Sequence, residues 1–525
     1  MNLAEKLREA TSETGPPHLV IEARAGTGKT TTLVEGLRRV KRMESKLTPS
    51  PQQKLIWEEM EKSADAKTIC FVAFNKSIAD ELKRRVPTGC EAMTMHSLGN
   101  KAVMRAFGRV EINQYRVEDI LCELMGGCDP RELRRKEPEL ISAVKELVGL
   151  CKQNLTNVEN DDELDELAAH YDVEINSSRA KIYHLVRKVL VRCKDVTLSR
   201  AIDFDDMIWL PVVLGLPLPK YDLLLVDEAQ DLNRCQQELC LRCGKRIIVC
   251  GDPKQAIYGF AGADSRSMPR MQEILETNTR GCLLLPLTVT RRCGKMIVKE
   301  ANTFVPEFEA FETNPEGAVT RIKYTATSDK SDKDYRVRVK DGDMILCRVN
   351  APLVSECFKF LKEGRRANIQ GRNIGQGLIK MINKLEKQSR SSSYRIEEFI
   401  SDLDDWKASE IKKETVKRFP SEAKIISIVD KCECLLCFAE AAKTVQEVRE
   451  KIDSIFTDNP DIVGIRLSSV HKAKGLEASN VFILLPKGGG MPHPMAKTAW
   501  QLEQEHNLKY VAITRAINSL TWVAE

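Results

Sequence analysis

The chain has 525 residues, too many for one ordinary hydrophobic core, so two to four domains are expected. Its 81 basic and 76 acidic residues leave a net charge of +5, which permits nucleic-acid binding without arguing for it, since a local basic groove matters more than the total. No run is apolar enough to span a bilayer and no leader-like segment opens the chain, which excludes membrane-spanning and secreted classes and predicts a cytoplasmic protein, free or associated with the nucleoid, with seventeen reduced cysteines.

In chain order, residues 3–10 read as a short helix and Thr11 to Pro17 as a turn. His18 to Ala25 predicts a strand, and Gly26-Thr27-Gly28-Lys29-Thr30 after it is a phosphate loop. Its glycines let backbone N–H groups close around phosphates, and a helix from Thr31 to Lys41 adds its positive end. Lys29 would reach the β/γ-phosphates and the Thr30 hydroxyl would coordinate Mg²⁺. The nucleotide-binding stretch is thus Ala25, Gly26, Thr27, Gly28, Lys29, Thr30 and Thr31, with Ala23 where the general pattern has its first glycine. Residues 42–66 are an insertion, in which Pro51-Gln52-Gln53 starts a helix. Thr68 to Phe74 predicts a strand ending in Asn75-Lys76-Ser77, Ile78 to Arg85 a helix with a basic end, and Thr94-Met95-His96-Ser97 closes another short strand.

Between residues 100 and 200 strand signals nearly vanish. Apolar positions recur at helical spacing in Val117–Met125, Leu140–Leu150, Leu164–Ala169 and Ile182–Val191, which predicts a helical insertion of about a hundred residues. Its basic clusters, Arg131 to Lys136 and Arg187 to Lys194, suit solvated faces or phosphate contacts, with solvated faces expected for most of them. Phe204-Asp205-Asp206-Met207 starts a helix that returns to the sheet.

The run Leu223-Leu224-Leu225-Val226 then predicts a strand buried on both faces, with Asp227 and Glu228 at its carboxyl end. Ligands bind at that edge of open α/β sheets, where one acid can hold Mg²⁺ and a second can orient a water. An acidic turn would suit an isolated pair equally well; the phosphate loop is what favours the functional reading. Arg246 to Cys250 is another strand, running into Asp252-Pro253-Lys254-Gln255 and then Tyr258 and Phe260, which suit base stacking or plain packing. Strands follow at Leu283–Leu287, before Arg291-Arg292, at Asp343–Cys347, before Arg348, at Ile465–Ser469 and at Val481–Leu485. Residues 380–455 read as helical, with a flexible Gln388 to Ser393, Lys487 to Pro494 as a Gly/Pro loop, and Glu503 to Ile517 as the last helix. Two cysteine groups, Cys235, Cys240, Cys243 and Cys250, and Cys432, Cys434 and Cys437, are close enough to consider a metal. The first runs into an apolar strand and the second lacks a near fourth ligand, so core packing and no structural metal are expected.

Together the strings ARAGTGKT, TMHSLG, LLLVDEAQD, GDPKQAIYGFAGA, SSVHKAKGLEASNVFI and YVAITRA, in this order across residues 23 to 516, resemble the UvrD/Rep/PcrA branch of superfamily 1 helicases. The resemblance implies an α/β fold with two RecA-like P-loop motor domains, parallel sheets flanked by helices, carrying helical insertions. The first motor domain is expected at 1–98 and 200–284, with a helical insertion at 99–199. The second is expected at 285–380 and 456–525, with a reduced helical insertion at 381–455. ATP and Mg²⁺ are the implied cofactors, with Thr30 and Asp227 on the metal. By resemblance Glu228 activates water, Gln255 reads the γ-phosphate, Arg292 and Arg515 are the finger arginines, and Gly475 and Glu477 meet the nucleotide. Phe74, Asn75, His96, Tyr258, Phe260 and His471 fall at positions that face DNA.

Departures accompany the likeness. The glutamine that reads adenine in the family lies upstream of the phosphate loop, whereas here Gln52 is the first glutamine and lies downstream. Arg291 stands where an aromatic usually precedes the finger arginine, and Ala261 stands where an arginine follows Phe260. The function implied is ATP-dependent 3′–5′ translocation on single-stranded DNA with unwinding of partial duplex, in replication, repair or recombination, with a protein loading partner as an option. Two further readings stay open: a translocase that strips proteins without unwinding, and a nucleic-acid-binding regulator with a weak ATPase.

Overall fold

The computed structural model describes residues 15–524 apart from 46, 74, 128–131, 134–135, 172, 174, 176–177, 258–265, 325–333, 390–393, 417–421, 460–463, 488–489, 495 and 498, and apart from the side chains of 198, 199, 423 and 500. The expected helix at 3–10 and most of the turn after it lie outside these residues, as do 390–393. The chain forms two compact units, Met1–Thr288 and Val289–Glu525. Among the described residues no helix is long and apolar enough to cross a membrane.

The first unit is built on six parallel strands: β1 (His18–Ala23), β2 (Ile69–Ala73), β3 (Cys90–Thr94), β4 (Tyr221–Val226), β5 (Gly244–Gly251) and β6 (Cys282–Leu287), in the order β3-β2-β4-β5-β1-β6. Its helices are α1 (Lys29–Val40), α2 (Pro51–Glu61), α3 (Lys76–Arg85), α4 (Met95–Phe107), α5 (Arg116–Leu124), α6 (Pro138–Asn154), α7 (Asp161–His170), α8 (Arg179–Lys194), α9 (Asp206–Val213), α10 (Arg234–Cys243) and α11 (Ser267–Glu276). The apolar run of β4 is explained by two cores. Leu223 and Leu225 pack with Leu33, Ile56 and Trp57 of α1 and α2 on one face. Leu224 and Val226 pack with Leu98, Ile208 and Leu239 on the other, in a core that continues into the insertion through Leu147 and Val186. Side chains alternate along a strand, so only a sheet covered on both faces needs every position apolar. Because all six strands are parallel, the loops after β1, β2, β4 and β5 open on one edge.

Of the basic residues on α8, Lys188 and Lys194 are exposed and Arg187 and Arg192 are half-buried. Arg187 ion-pairs with Asp161 and Arg192 with Glu123, both among exposed partners.

The second unit holds seven parallel strands: β7 (Ala318–Lys323), β8 (Met344–Cys347), β9 (Ala367–Gln370), β10 (Phe456–Thr457), β11 (Ile465–Ser469), β12 (Ala478–Leu485) and β13 (Ala516–Ala524), ordered β7-β13-β12-β8-β11-β9-β10. Its helices are α12 (Lys295–Ala301), α13 (Ala351–Lys362), α14 (Arg372–Ser389), α15 (Ile396–Thr415), α16 (Glu422–Glu440), α17 (Val445–Ile455) and α18 (Ala499–Ile513). One expectation needs correction here. The last helix does not run to Ile517; it ends at Ile513, and Ala516–Ala524 is a strand paired with both β12 and β7. Leu520 and Val523 are buried there, and a strand at this position pairs the facing backbone edges of β12 and β7, which a helix bonded within itself would leave without partners. Helices α14 to α17 share one core with the sheet: Ile345 and Cys347 of β8 belong to the same cluster as Phe399, Leu403, Leu435 and Phe438.

Candidate functional site

At the carboxyl edge of the first sheet the phosphate loop meets the two acids. Gly26 and Gly28 have φ of 67° and 79°, left-handed values that side chains resist, and the Thr27 hydroxyl donates to the Arg24 carbonyl at 2.8 Å. The loop therefore closes before α1 begins. Thr30 Oγ1 donates to Asp227 Oδ2 at 2.5 Å, and Lys29 Nζ lies 3.0 Å from Glu228 Oε2. Glu228 itself has φ of 53°, a strained conformation for a side-chain-bearing residue, of the kind found where geometry matters more than local ease. Gln230 donates to Glu228 Oε2 and accepts from the Asp252 N–H at 3.0 Å, while Gln255 donates to Asp252 Oδ2 at 2.6 Å. Gln255 is thereby linked to Glu228 through a chain of hydrogen bonds. Arg24 closes the group, 2.7 Å from Glu22 and 3.3 Å from Asp252.

The electrostatics follow from burial. Burial pushes the Asp227 carboxyl up to about 6, Glu228 adds repulsion, and Lys29 and the Thr30 hydrogen bond pull the other way. Asp252 is also raised by burial, against the pull of Lys29 and Arg24. Burial works against the Lys29 charge, but Glu228, Asp252 and Asp227 together outweigh it and hold the ammonium protonated. Four carboxylates, Glu22, Asp227, Glu228 and Asp252, face the two cations Lys29 and Arg24, so the site is short of positive charge. A hydroxyl and a carboxylate side by side at such a site form a donor set of the hard-oxygen type that Mg²⁺ takes.

Gln52 takes its place from the helix it opens. Helix α2 starts with a capping box in which the Gln53 N–H donates to Ser50 Oγ at 3.2 Å and the Ser50 N–H to Gln53 Oε1 at 3.0 Å. Gln53 Nε2 also donates to Thr32 Oγ1, and Trp57 Nε1 to the Thr32 carbonyl, each at 2.9 Å. Gly36 permits this approach, since a Cβ there would lie 2.3 Å from Met60 Sδ. The far end is held by Arg246, which donates to the carbonyls of Pro17 and Glu59 and to Ser63 Oγ. So fixed, α2 returns to the phosphate loop. Gln52 donates to Thr288 Oγ1 and accepts from the Thr288 N–H, both at 2.9 Å, one residue beyond the Leu287 carbonyl that takes the Arg24 N–H.

Of the residues expected to face DNA, Phe74, Tyr258 and Phe260 lie outside the described residues. Asn75 is exposed, and its side chain accepts from the Ile78 N–H at 2.9 Å as the N-cap of α3, so capping accounts for it. His96 is half-buried in the first turn of α4, and burial lowers its pKa. Its ring lies edge-on to Phe204, with centroids 6.3 Å apart at 79°. Phe204 is 57% exposed and was missed in the sequence, where one aromatic beside three acids looks like a helix start.

In the second unit Arg292 Nε lies 2.6 Å from Glu477 Oε2, and Gly475 turns the preceding loop at φ 88°. Arg515 is buried, donating to the carbonyls of Val511 at 3.0 Å and Leu476 at 3.1 Å. Four of the expected nucleotide residues of this unit thus gather at one place. Arg291 lays its guanidinium on the Phe311 ring, 3.9 Å from the centroid. His471 is half-buried after β11, and burial with Arg348 nearby pushes it down to about 3, so it is neutral. The cysteines considered for metal occupy core positions: Cys235, Cys240, Cys243 and Cys250 are buried, as are Cys432 and Cys434, with burial raising their thiols.

Comparison with known proteins covers both units. The family model for the UvrD/REP helicase N-terminal domain matches residues 3–275, and that for the UvrD-like helicase C-terminal domain matches 264–524. F-box DNA helicase protein 1 of Schizosaccharomyces pombe is 24% identical, over 95% of this chain and 54% of that protein. ATP-dependent DNA helicase PcrA of Staphylococcus epidermidis is 23% identical, over 98% of this chain and 82% of that protein. ATP-dependent DNA helicase Rep of Escherichia coli is 28% identical over 46% of this chain and 36% of that protein. The chain spans about half the length of the F-box helicases it matches.

Proposed function

Because the chain belongs to the UvrD/REP helicase family, we propose that it is an ATP-driven motor on single-stranded DNA, moving 3′ to 5′ and opening duplex as it goes. The observation that carries the reading is the meeting of Lys29 and Thr30 with Asp227 and Glu228 on one sheet edge. Lys29 leaves Glu228 for the terminal phosphates of ATP, which frees that carboxylate to orient the attacking water. Thr30 and Asp227 would hold Mg²⁺, which supplies charge neutralisation on the phosphates. Gln255 senses the state of that water and phosphate through the Asp252–Gln230–Glu228 chain. Gln52 reads the base, its amide exchanging the Thr288 pair for the donor and acceptor of an adenine edge. Arg292 and Arg515, with Gly475 and Glu477, are the residues of the second unit offered to nucleotide phosphates and ribose. His96, Phe204 and His471 are the described residues offered to DNA, with a loading partner left to assay.

Steady-state ATP hydrolysis with and without an oligothymidine strand, beside Glu228→Gln, tests the reading. Strong stimulation is expected in the wild type and none in the variant, with nucleotide binding retained. Normal turnover in Glu228→Gln would sink the assigned base. One observation supports a second reading, translocation without unwinding. The helices between 372 and 455 are fused to the motor core, and Asp430 of α16 accepts from the N–H groups of Asn350 and Ala351 at 2.7 and 2.8 Å. Tailed duplexes of each polarity separate the two.

A further inference from the structure

Phe204 stands in the turn between the two-residue strand Ala201–Ile202 and α9, with its ring in solvent. Nothing in such a turn holds a ring by itself. Here every neighbour is gripped from the helical insertion. Lys152 of α6, 1% exposed, donates to Asp203 Oδ2 at 2.6 Å and lies 2.8 Å from Asp206 Oδ1. Arg116 of α5, 2% exposed, pairs with Asp206 and donates to the Cys193 carbonyl at 3.0 Å. The adjacent Gln153 donates to Asp205 Oδ1 at 3.2 Å. The turn also closes on itself: the Asp203 N–H donates to Asp206 Oδ2 at 2.9 Å and the Asp206 N–H to Asp203 Oδ1 at 2.8 Å.

Two buried cations on one buried and one half-buried carboxylate are a poor source of stability, because desolvation cancels most of the attraction. What such a network does well is select one backbone conformation, since each bond has a direction. The conformation selected here presents the Phe204 ring beside His96. Helix α4, which carries His96, is set against the same segment at Gly99, where a Cβ would lie 2.2 Å from the Met207 carbonyl oxygen. Both rings therefore belong to one rigid assembly whose clamp comes from the insertion.

We propose that Lys152 and Arg116 are positioning residues by which the helical insertion holds the Phe204 ring ready to stack on a base of single-stranded DNA. This rests on the DNA-motor reading. An aromatic on a fixed backbone stacks without first ordering itself, and a base–aromatic stack is sequence-tolerant. Removing the ring loses the stack. Removing Lys152 loosens the turn and loses the same stack, not a second one.

The test uses the full chain and the oligothymidine concentration that gives half-maximal ATPase stimulation. Phe204→Ala is expected to raise it about tenfold. Lys152→Met should raise it by a similar factor, with basal and maximal turnover unchanged, and Lys152→Arg should restore it to within about twofold. The decisive variant is the double one, which should match Phe204→Ala alone. Should Lys152→Met not fold, Asp203→Asn makes the same comparison, since it keeps the acceptor for the Asp206 N–H and removes only the charge. A double variant whose effect is the product of the singles overturns the proposal, as does a Phe204→Ala that binds DNA normally. Absence of any DNA stimulation in the wild type would instead be a failure of the motor reading.

Discussion

Two buried carboxylates of the first unit, Asp227 and Asp206, make opposite use of the same chemistry. Asp227 shares one ammonium with Glu228 and Asp252, and its pKa rises to about 6. Burial would raise Asp206 as well, but Lys152 and Arg116 both face it and hold it below the usual carboxylate range. The first acid has only a shared cation, and a nucleotide's metal would add positive charge beside it. The second has two cations built in against it, while burial raises its neighbours Asp203 and Asp205.

Neutralising each acid separates the two cases. Asp227→Asn should leave the melting temperature of the nucleotide-free protein unchanged or raised, because it relieves repulsion. Its ATP turnover should fall by roughly a hundredfold or more, since a metal contributes several kcal/mol to the reaction. Asp206→Asn should do the reverse in kind. It leaves two cations with one acid, which costs about 3–5 kcal/mol of stability by denaturant titration. Turnover per folded molecule should persist. If Asp227→Asn proved the more destabilising of the two, the contrast between the clusters would be wrong.

The sign with pH follows for Asp206. A carboxyl whose folded pKa is depressed contributes stability above its unfolded value, near 4, and that contribution is lost as pH falls through the folded value. Denaturant titrations of wild type and Asp206→Asn should therefore converge below about pH 4 and stay apart at neutral pH. Parallel curves across that range would remove Asp206 from the account.

Smaller effects sharpen the comparison at its edges. Gly99→Ala must separate α4 from α9, since the new methyl meets a backbone carbonyl, and overpacking of that kind costs about 1–3 kcal/mol. Its DNA half-saturation should rise along with the loss of stability. Gln52→Ala should weaken preference for ATP over GTP by about tenfold, the worth of one good hydrogen-bonded pair, with turnover at saturation kept. Unchanged preference would return Gln52 to a structural role at Thr288.

What was legible in the sequence was short-range. The phosphate loop, the apolar run before Asp227 and the helical spacing from 117 to 191 each declare themselves within about twenty residues, because local geometry imposes them. The parallel α/β class followed from strands that alternate with helices. Tertiary structure decided the rest. Ile513-Thr514-Arg515-Ala516-Ile517 continues a helical pattern until β13 is claimed by β12 and β7, from nearly forty to about two hundred residues away. Gln52 looks misplaced until Gly36 and Arg246 let α2 fold back on the phosphate loop. Lys152 reads as one more polar residue on an amphipathic helix, and Phe204 as a stray aromatic. The pairing of Lys152 with Asp203 and Asp206, on either side of Phe204, depends on a chain path of about fifty residues that no local pattern encodes. Residue types and local spacing determined which chemistry this chain can perform; long-range packing determined which side chains are held still enough to perform it.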